Sequence, residues 1–309
     1  METDEPANPD GQPRFAVRLG NETIGRSKII DPGCLQHCLT DDERETFDRD
    51  GYLIVPDALS ADTVQRLTVL ADELDREHRP KLGLRADERL HLRDFLNTDE
   101  IFLDLLDWPT TFPKVWGILG WHIQLYLAHI DVTPMEPRLT EPERLGWHQD
   151  SGRVNIELES DPRPRVSIKI GYFLTDTTEL GRGNFYVIPG SHLSNTLDLP
   201  SDGVSDPEGA TPICVSPGTA VIFDRRLWHS RSPNQSDVTR KAVFYGYSYR
   251  WLRPRDNTRI EDFEGCTDPI RRQLLGAVHD GHGYSSPTDE DVPLKFWIAE
   301  HLGEEAVGR

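Results

Sequence analysis

The sequence has little of what marks a membrane-spanning or nucleic-acid-binding protein. No apolar stretch in its 309 residues approaches the ~20 that a bilayer-spanning helix needs. Basic residues are in deficit, with 34 Lys and Arg against 53 Asp and Glu, and the formal net charge is -19. Because phosphate binding needs a basic face, we expect neither nucleic acid nor an anionic membrane as a partner.

Cysteine is also scarce. Cys34, Cys38, Cys214 and Cys266 are widely scattered, and no second Cys or His pair completes a zinc pattern. We therefore interpret the cysteines as reduced thiols and expect a cytoplasmic protein. We also expect a monomer or a homodimer.

The first residues lack an apolar core and a sustained periodicity. They are acidic and contain several prolines, which is unlike a secretory signal. Residues 1–38 also carry several glycines, so we expect a partly flexible tail or arm. A single domain over residues 39–309 is expected to follow, and apolar residues such as Phe15 and Ile30 offer contacts between the arm and that domain.

Helical patterns come first along the chain, and strand patterns follow. Thr40 and Glu43 have the spacing of a capping box, and Ser60 precedes a second run with helical spacing. Further helices are expected at 99–120, interrupted at Pro109 and Pro113. Strands are predicted at 51–56, 122–133, 165–174, 185–188, 218–223 and 242–250, and short helices at 269–275 and 294–302. This order predicts an α+β, mainly β domain built around a sheet sandwich or barrel.

Three residues have the types and spacing of an iron-binding triad. His148 and Asp150 form a His-x-Asp pair, which a strand places on one face, and His229 follows from a distant strand. Two histidines and one carboxylate leave coordination positions open, as non-haem Fe(II) oxygenases require. The tripeptide alone is weak evidence, because His129 and Asp131 form a second copy, and either pair could instead be structural.

Ordered motifs run through most of the chain and separate these two pairs. They are Phe47–Pro56, Gly146–Asp150, Gly183–His192, Pro217–Asp224 and Trp228–His229. From about Leu39 to Leu294 the sequence resembles the phytanoyl-CoA dioxygenase family of 2-oxoglutarate oxygenases. The resemblance selects His148, Asp150 and His229 as the metal ligands and catalytic centre. It implies a double-stranded β-helix (jelly-roll) core with N-terminal and flanking helices, and Fe(II), 2-oxoglutarate and dioxygen as cofactor and co-substrates.

The resemblance also implies a binding site for 2-oxoglutarate. The family has an arginine eleven residues after the distal histidine, which is Arg240 here, and arginine suits bidentate binding of a carboxylate. The chain departs from the family at Arg231, where a Ser or Thr is common; Ser230 or Ser232 could substitute. Many members have a lysine where this chain has Thr133, which leaves Thr133 as a candidate contact.

Other residues keep two interpretations. Lys169 either contacts co-substrate or substrate, or lies on the solvent face of an edge strand. His129 and Asp131 either face the substrate or form a buried strand pair. Arg231 either faces outward or reaches the substrate. The basic segment 250–255 either helps to bind an anionic substrate or is simply solvated.

The function implied by the resemblance is hydroxylation, desaturation or cyclisation of a small metabolite or natural-product intermediate, with release of succinate and CO2. Asp150 argues against halogenation, because related halogenases have a small residue there. An acyl-CoA hydroxylase of the same family is an alternative, although the charge of -19 disfavours a substrate with several phosphates. Two further alternatives are a cupin-like enzyme that does not use 2-oxoglutarate and a non-catalytic binding protein on the same scaffold.

Overall fold

The computed structural model describes residues 30–138, 141, 143–263 and 265–308. Seven α-helices lie in these ranges: α1 (Asp41–Asp50), α2 (Ala61–Lys81), α3 (Glu100–Asp104), α4 (Phe112–Leu119), α5 (Gly152–Glu157), α6 (Pro269–Leu274) and α7 (Pro293–Leu302). Nine strands lie in the same ranges: β1 (Tyr52–Val55), β2 (Leu90–Leu92), β3 (Ile123–Thr133), β4 (Ser167–Phe173), β5 (Phe185–Val187), β6 (Thr211–Ile213), β7 (Ala220–Asp224), β8 (His229–Arg231) and β9 (Arg240–Tyr249). Short 3₁₀ helices occupy Pro32–His37, Leu105–Asp107, Ser191–Leu193, Ile260–Phe263, Gly281–Tyr284, Asp289–Asp291 and Glu304–Val307.

The N-terminal helices form where local signals predict them. The Thr40 hydroxyl accepts a hydrogen bond from the Glu43 amide at 3.2 Å, and the Glu43 carboxylate accepts one from the Thr40 amide at 3.0 Å. This is the predicted capping box, and Ser60 likewise caps α2 by accepting from the amide of Thr63. The expected interruption at Pro113 was wrong, because this proline lies in the first turn of α4, where a missing N–H costs nothing.

The strands form two antiparallel sheets. The major sheet has the order β1-β7-β4-β9-β3-β2, and the minor sheet has the order β6-β5-β8. The mixture of early helices and antiparallel sheets confirms the predicted α+β class. Sequence analysis missed β2, α5 and β6, which have three to six residues each and are too short for a clear periodicity.

Both faces of the major sheet are buried. One face packs on the helices, where the hydroxyls of Tyr245 and Tyr247 donate to the carbonyls of Phe102 and Leu106. The other face packs on the minor sheet, with the rings of Phe223 and Phe185 4.9 Å apart. The long strands β3, β4 and β9 are therefore buried at almost every position, and their sequences lack a regular alternation of apolar and polar residues.

Only the last part of the segment before α1, from residue 30 onward, lies among the described residues. Residues 1–29, including Phe15, lie outside them. Ile30 and Cys34 are buried in the core, and the 3₁₀ helix at Pro32–His37 lies against α4. All four cysteines are free thiols. No helix in the described ranges combines the length and the hydropathy that crossing a membrane requires.

Candidate metal centre and pocket

A cavity of about 420 Å³ opens between the two sheets. Its wall includes alternate residues of β3, namely Leu127, His129 and Asp131, because successive strand side chains point to opposite faces. The predicted triad lies at the same cavity, and so does Arg240. The fold thus brings together residues that are more than ninety positions apart in the sequence.

The two triad histidines are placed by a backbone pairing. His148 and His229 form an isolated antiparallel bridge, in which each amide donates to the other's carbonyl at 3.0 Å. This pairing attaches the His148 segment to β8 and sets the two imidazole centroids 4.4 Å apart. Residues opposite each other in such a bridge project to the same side, so both rings enter the cavity together.

The same local hydrogen bond orients both rings. Nδ1 of His148 lies 2.9 Å from the Gly146 carbonyl, and Nδ1 of His229 lies 2.8 Å from the Leu227 carbonyl. A carbonyl can only accept, so each Nδ1 carries the proton and donates it. In the neutral imidazole this tautomer leaves the lone pair on Nε2, facing away from the backbone carbonyl, which is the form that binds a metal.

Asp150 completes the group. Its amide donates to the Arg225 carbonyl at 2.8 Å, and its own carbonyl accepts from the Asn155 side chain at 2.9 Å. One ligand atom from each of His148, Asp150 and His229 lies within 4.8 Å of the others. The spacing suits three ligands on one face of a single ion.

The protonation states also suit a cation site. Burial opposes ionisation of Asp150, yet Lys169 and the two histidines overcome it and lower the pKa of Asp150. Burial lowers the pKa of His229 to about 4, against the opposing effect of Asp150. Near neutral pH the pair is therefore a carboxylate and a neutral imidazole, and neither has to lose a proton to bind a metal.

Lys169 points into the cavity rather than to solvent. It lies on the central strand β4, it is buried, and its Nζ is 2.6 Å from Oδ2 of Asp150. The interpretation of an exposed edge-strand lysine is therefore wrong, because β4 has neighbours on both sides. The position fits a group that balances the charge of Asp150 beside the predicted metal ligands.

Arg240 begins β9 directly opposite Thr133 of β3. It is 2% exposed, its guanidinium lies 5.3 Å from the Phe173 ring centroid, and Nε and Nη1 have no hydrogen-bond partner among the described residues. Burial lowers the pKa of Arg240 to about 10, so it stays cationic near neutral pH. An unpaired buried cation of this kind predicts an anionic ligand.

The neighbouring hydroxyls share this lack of partners. Thr133 Oγ1 and Ser232 Oγ are buried and make no hydrogen bond within the described part of the chain. Ser230 contributes to the cavity wall, whereas Thr133 and Ser232 are buried near it without contributing to the surface described for it. Their role as co-substrate contacts stays a prediction.

Arg231 lines the cavity and is held by an ion pair. Its two terminal nitrogens lie 2.6 Å and 2.9 Å from the carboxylate of Glu136, which also accepts from the Asn234 amide at 2.7 Å. Sequence reasoning missed Glu136, which lies in a loop with no periodic signal. The pairing fixes the orientation of the Arg231 side chain. Glu136 largely neutralises its charge, so Arg231 attracts an anionic ligand only weakly.

The second His-x-Asp pair lies at the same cavity. Nδ1 of His91 donates to Asp131 at 2.8 Å, and His129 stacks on Phe244 with ring centroids 4.6 Å apart. His91, His129 and Asp131 thus form a second compact group of two histidines and one carboxylate. Arg89 and Arg240 both act on Asp131, and these neighbouring cations disfavour a divalent ion there.

Sequence analysis missed β2 and its contribution to the cavity. Arg89, His91 and Arg93 alternate with the buried Leu90 and Leu92 and line the cavity. The signal was present as the period-two pattern Arg-Leu-His-Leu-Arg, but a strand of three residues gives it little weight.

The sequence matches a known protein family. The family profile described as Phytanoyl-CoA dioxygenase (PhyH) matches residues 47–242, which is more than half of the chain. L-proline trans-4-hydroxylase from Streptomyces griseoviridis is 26% identical over 239 residues, covering 67% of this chain and 85% of that protein.

Two solved structures share the fold. HygX from Streptomyces hygroscopicus, with nickel and 2-oxoglutarate bound, has a TM-score of 0.55 at 15% identity and covers 70% of this chain and 89% of its own. EctD from S. alaskensis, with 2-oxoglutarate and 5-hydroxyectoine, has a TM-score of 0.52 at 22% identity, with coverage of 77% and 87%. From the profile match over residues 47–242, the chain belongs to the phytanoyl-CoA dioxygenase (PhyH) family of oxidoreductases.

Proposed function

We propose that this protein is an Fe(II)- and 2-oxoglutarate-dependent dioxygenase that hydroxylates a small metabolite or natural-product intermediate. The proposal rests on two features of one cavity. His148, Asp150 and His229 form a set of metal-ligand side chains there. The same cavity is lined by the buried Arg240, whose Nε and Nη1 have no hydrogen-bond partner among the described residues.

The donor set supports iron at the triad. Two neutral imidazoles and one carboxylate form the ligand set of non-haem Fe(II) oxygenases, and both Nε2 atoms are available. The structures of HygX and EctD support the same cofactor class, because one holds nickel with 2-oxoglutarate and the other was determined with bound Fe.

The unpaired polar atoms support 2-oxoglutarate beside that site. A planar guanidinium binds a carboxylate through two parallel hydrogen bonds, and Arg240 has Nε and Nη1 without partners. The hydroxyls of Thr133 and Ser232 are the nearby candidates for further hydrogen bonds. We assign the far carboxylate of 2-oxoglutarate to Arg240 and its keto acid end to the metal.

The two sheets support a jelly-roll core. In this arrangement the major and minor sheets are the halves of a double-stranded β-helix, with the metal ligands near the ends of strands of the minor sheet. A catalytic centre between the sheets fits this architecture, because the cavity lies there.

The residues position the reaction rather than perform its chemistry. Bound iron and 2-oxoglutarate would supply the oxidising power, with dioxygen and 2-oxoglutarate consumed and succinate, carbon dioxide and oxygenated substrate as products. His148, Asp150 and His229 would hold the metal beside the cavity. Phe185 and Phe223 pack against His229 and limit the access of water to it.

The cavity supports a small substrate. A volume of about 420 Å³ is within the range of small-molecule sites, and it must also hold the co-substrate. L-proline trans-4-hydroxylase and ectoine dioxygenase, two relatives of this chain, are named for small molecules.

The proposal is tested by adding Fe(II) and 2-oxoglutarate to the metal-free protein without oxygen. We expect the visible charge-transfer band of the Fe(II)–2-oxoglutarate complex, followed on admission of oxygen by slow release of labelled CO2 from 2-oxoglutarate. If the protein binds neither iron nor 2-oxoglutarate, the proposal is wrong. Iron binding without 2-oxoglutarate turnover would favour the cupin-like alternative.

Replacing Gly183 with alanine is expected to weaken 2-oxoglutarate binding about tenfold. Gly183 has φ +66°, and a Cβ there would lie 2.8 Å from Cδ of Arg240. The side chain of Arg240 must then shift, which misaligns its hydrogen bonds to the co-substrate at a cost of about 1.4 kcal/mol for each tenfold loss. The Kd of 2-oxoglutarate, measured with Fe(II) under anaerobic conditions, checks this.

Gly181→Ala is the matched control. Gly181 has a similar φ of +82°, but a Cβ there would meet only Cβ of Gln235, at 4.0 Å. Both variants carry the backbone cost of alanine in a left-handed conformation, about 1 kcal/mol or more. Only Gly183→Ala is expected to change the Kd; equal values in the two variants would contradict the assigned position of the co-substrate.

A further inference from the structure

We propose that the substrate is an anion, bearing a carboxylate or a phosphate, and that Arg89, Arg93 and Arg255 bind its charged group. The inference rests on the proposed function, because it concerns the substrate of the same site. The basic segment at 250–255 has two interpretations from its sequence. In the structure, its Arg255 lines the cavity together with Arg89 and Arg93, which flank β2.

The charge around the cavity is opposite to that of the whole chain. Six cationic side chains line it against three carboxylates, although the chain carries a formal net charge of -19. Fe(II) and fully ionised 2-oxoglutarate have equal and opposite charges, so loading the site leaves this surplus in place. At physiological salt, charges beyond about 8 Å are screened, so the local surplus decides which ligand is attracted.

The inner charges already have partners. Lys169 pairs with Asp150 at 2.6 Å, and Arg231 pairs with Glu136 at 2.6 Å. The hydrogen-bond donors of Arg240 are assigned to the co-substrate. The cations still open to a substrate are therefore the three remaining arginines, which are exposed at the cavity mouth.

Among the described residues, these three arginines have no carboxylate partner that neutralises them at close range. Arg89 reaches Asp131 only at 4.0 Å, and that carboxylate already accepts from His91. Within the described ranges, no carboxylate oxygen lies within 4.0 Å of the side-chain nitrogens of Arg93 or Arg255. Their donors are free for a ligand.

The backbone fixes the three side chains on the cavity. Arg89 and Arg93 flank β2 at a spacing of four residues, so they lie on the same face as His91. Arg255 is held at an irregularity of β3 between Leu125 and Leu127, where its amide donates to the Tyr126 carbonyl at 2.8 Å. The next residue, Asp256, accepts a hydrogen bond from the Ala128 amide.

The carboxylates of the wall do not offer a site for a cationic substrate. Asp131 lies among His91, Arg89 and Arg240. Asp256 uses one oxygen to accept from β3, and its other oxygen is buried. Asp150 belongs to the metal site. A cationic group would therefore meet the three exposed arginines before it reached any open carboxylate.

The test uses four probes that share a six-carbon chain and differ in their head group: hexanoate, hexyl phosphate, hexanamide and hexylamine. Each is titrated calorimetrically, without oxygen, into protein loaded with Fe(II) and saturating 2-oxoglutarate. We expect hexanoate or hexyl phosphate to bind at least tenfold more tightly than hexanamide, and hexylamine to bind most weakly. The tighter of the two anions identifies the head group as carboxylate or phosphate.

Variants test whether the arginines at the cavity mouth cause the preference for anionic probes. Arg93→Gln and Arg255→Gln are each expected to weaken anion binding about tenfold and to leave hexanamide unchanged, because each removes a charge-assisted hydrogen bond. Arg66→Gln, at an exposed arginine of α2, is the matched control and should change nothing. The Kd of 2-oxoglutarate reports on the fold of every variant.

The outcomes separate this proposal from the one on which it rests. A neutral or cationic probe that binds as tightly as the anions overturns it, and so does an anion preference that survives in Arg93→Gln/Arg255→Gln. Failure of all four probes to bind overturns it too. If the charge-transfer band forms in these samples, the proposed function stands despite such a result; if it does not form, the proposed function fails first.

Discussion

Replacing His148 with alanine is expected to abolish iron binding and, with it, all decarboxylation of 2-oxoglutarate. Loss of a residue that merely supports a metal ligand typically costs 10–100-fold in affinity or activity, so loss of a ligand is expected to cost at least ~100-fold. The measurements are anaerobic titration of Fe(II), followed by the charge-transfer band, and release of labelled CO2. The metal-free variant should stay folded, because His148 is exposed, its ring bonds only the nearby Gly146 carbonyl, and alanine can retain the backbone bridge to His229.

The control is His91→Ala, in the second group of two histidines and one carboxylate. His91 donates to the buried Asp131, but 42% of the His91 side chain is accessible, so water can replace it as a donor and the variant should fold. If the triad holds the iron, His91→Ala keeps the band and the uncoupled turnover. Loss of the band in His91→Ala with retention in His148→Ala would move the iron to His91, His129 and Asp131.

Replacing Arg240 with glutamine is expected to raise the Kd of 2-oxoglutarate by about 100-fold or more while iron still binds. Each hydrogen bond to a charged group is worth about 1.5–3 kcal/mol, and the bidentate pair provides two of them. At 1.4 kcal/mol for each tenfold change, their loss amounts to about two orders of magnitude. Titration of 2-oxoglutarate into the Fe(II)-loaded variant measures the effect directly.

The adjacent Lys241 offers a matched control. It alternates with Arg240 on β9 and points the other way, where its Nζ lies 2.8 Å from Asp72 of α2. Lys241→Gln removes a positive charge one residue away without touching the cavity, so the Kd should stay within about twofold. An equal loss of affinity in both variants would mean that long-range charge, not the contact of Arg240, attracts the co-substrate.

Much of the fold followed from local sequence signals. The capping box at Thr40 predicted the start of α1. The predicted ends of β3, β4 and β9 agree with the observed ones within a few residues. The three-residue strands β2 and β6 gave too weak a local signal, because their formation depends on a partner strand that is distant in the sequence. Pairing of β2 with β3 or of β6 with β5 is a property of the tertiary structure.

Residues of the candidate site were predictable only where their type and their spacing within motifs indicated a function. His148, Asp150, His229 and Arg240 could be proposed because motifs with family-like spacing surround them. The ion pair of Arg231 with Glu136 spans 95 residues and has no counterpart in local sequence. The same holds for Arg89 and Arg93, whose importance comes from the position of β2 at the cavity mouth.

The unpaired guanidinium of Arg240 has a consequence beyond binding. A buried charge without its full set of hydrogen bonds weakens the folded state, and a ligand that binds only the folded state restores stability in proportion to its saturation. The segment around the start of β9 is therefore expected to exchange its amide hydrogens faster and to be cut by proteases sooner when 2-oxoglutarate is absent. The survival time of the protein in a cell would then follow the supply of a central keto acid, so that the co-substrate governs how much enzyme persists as well as how fast it works.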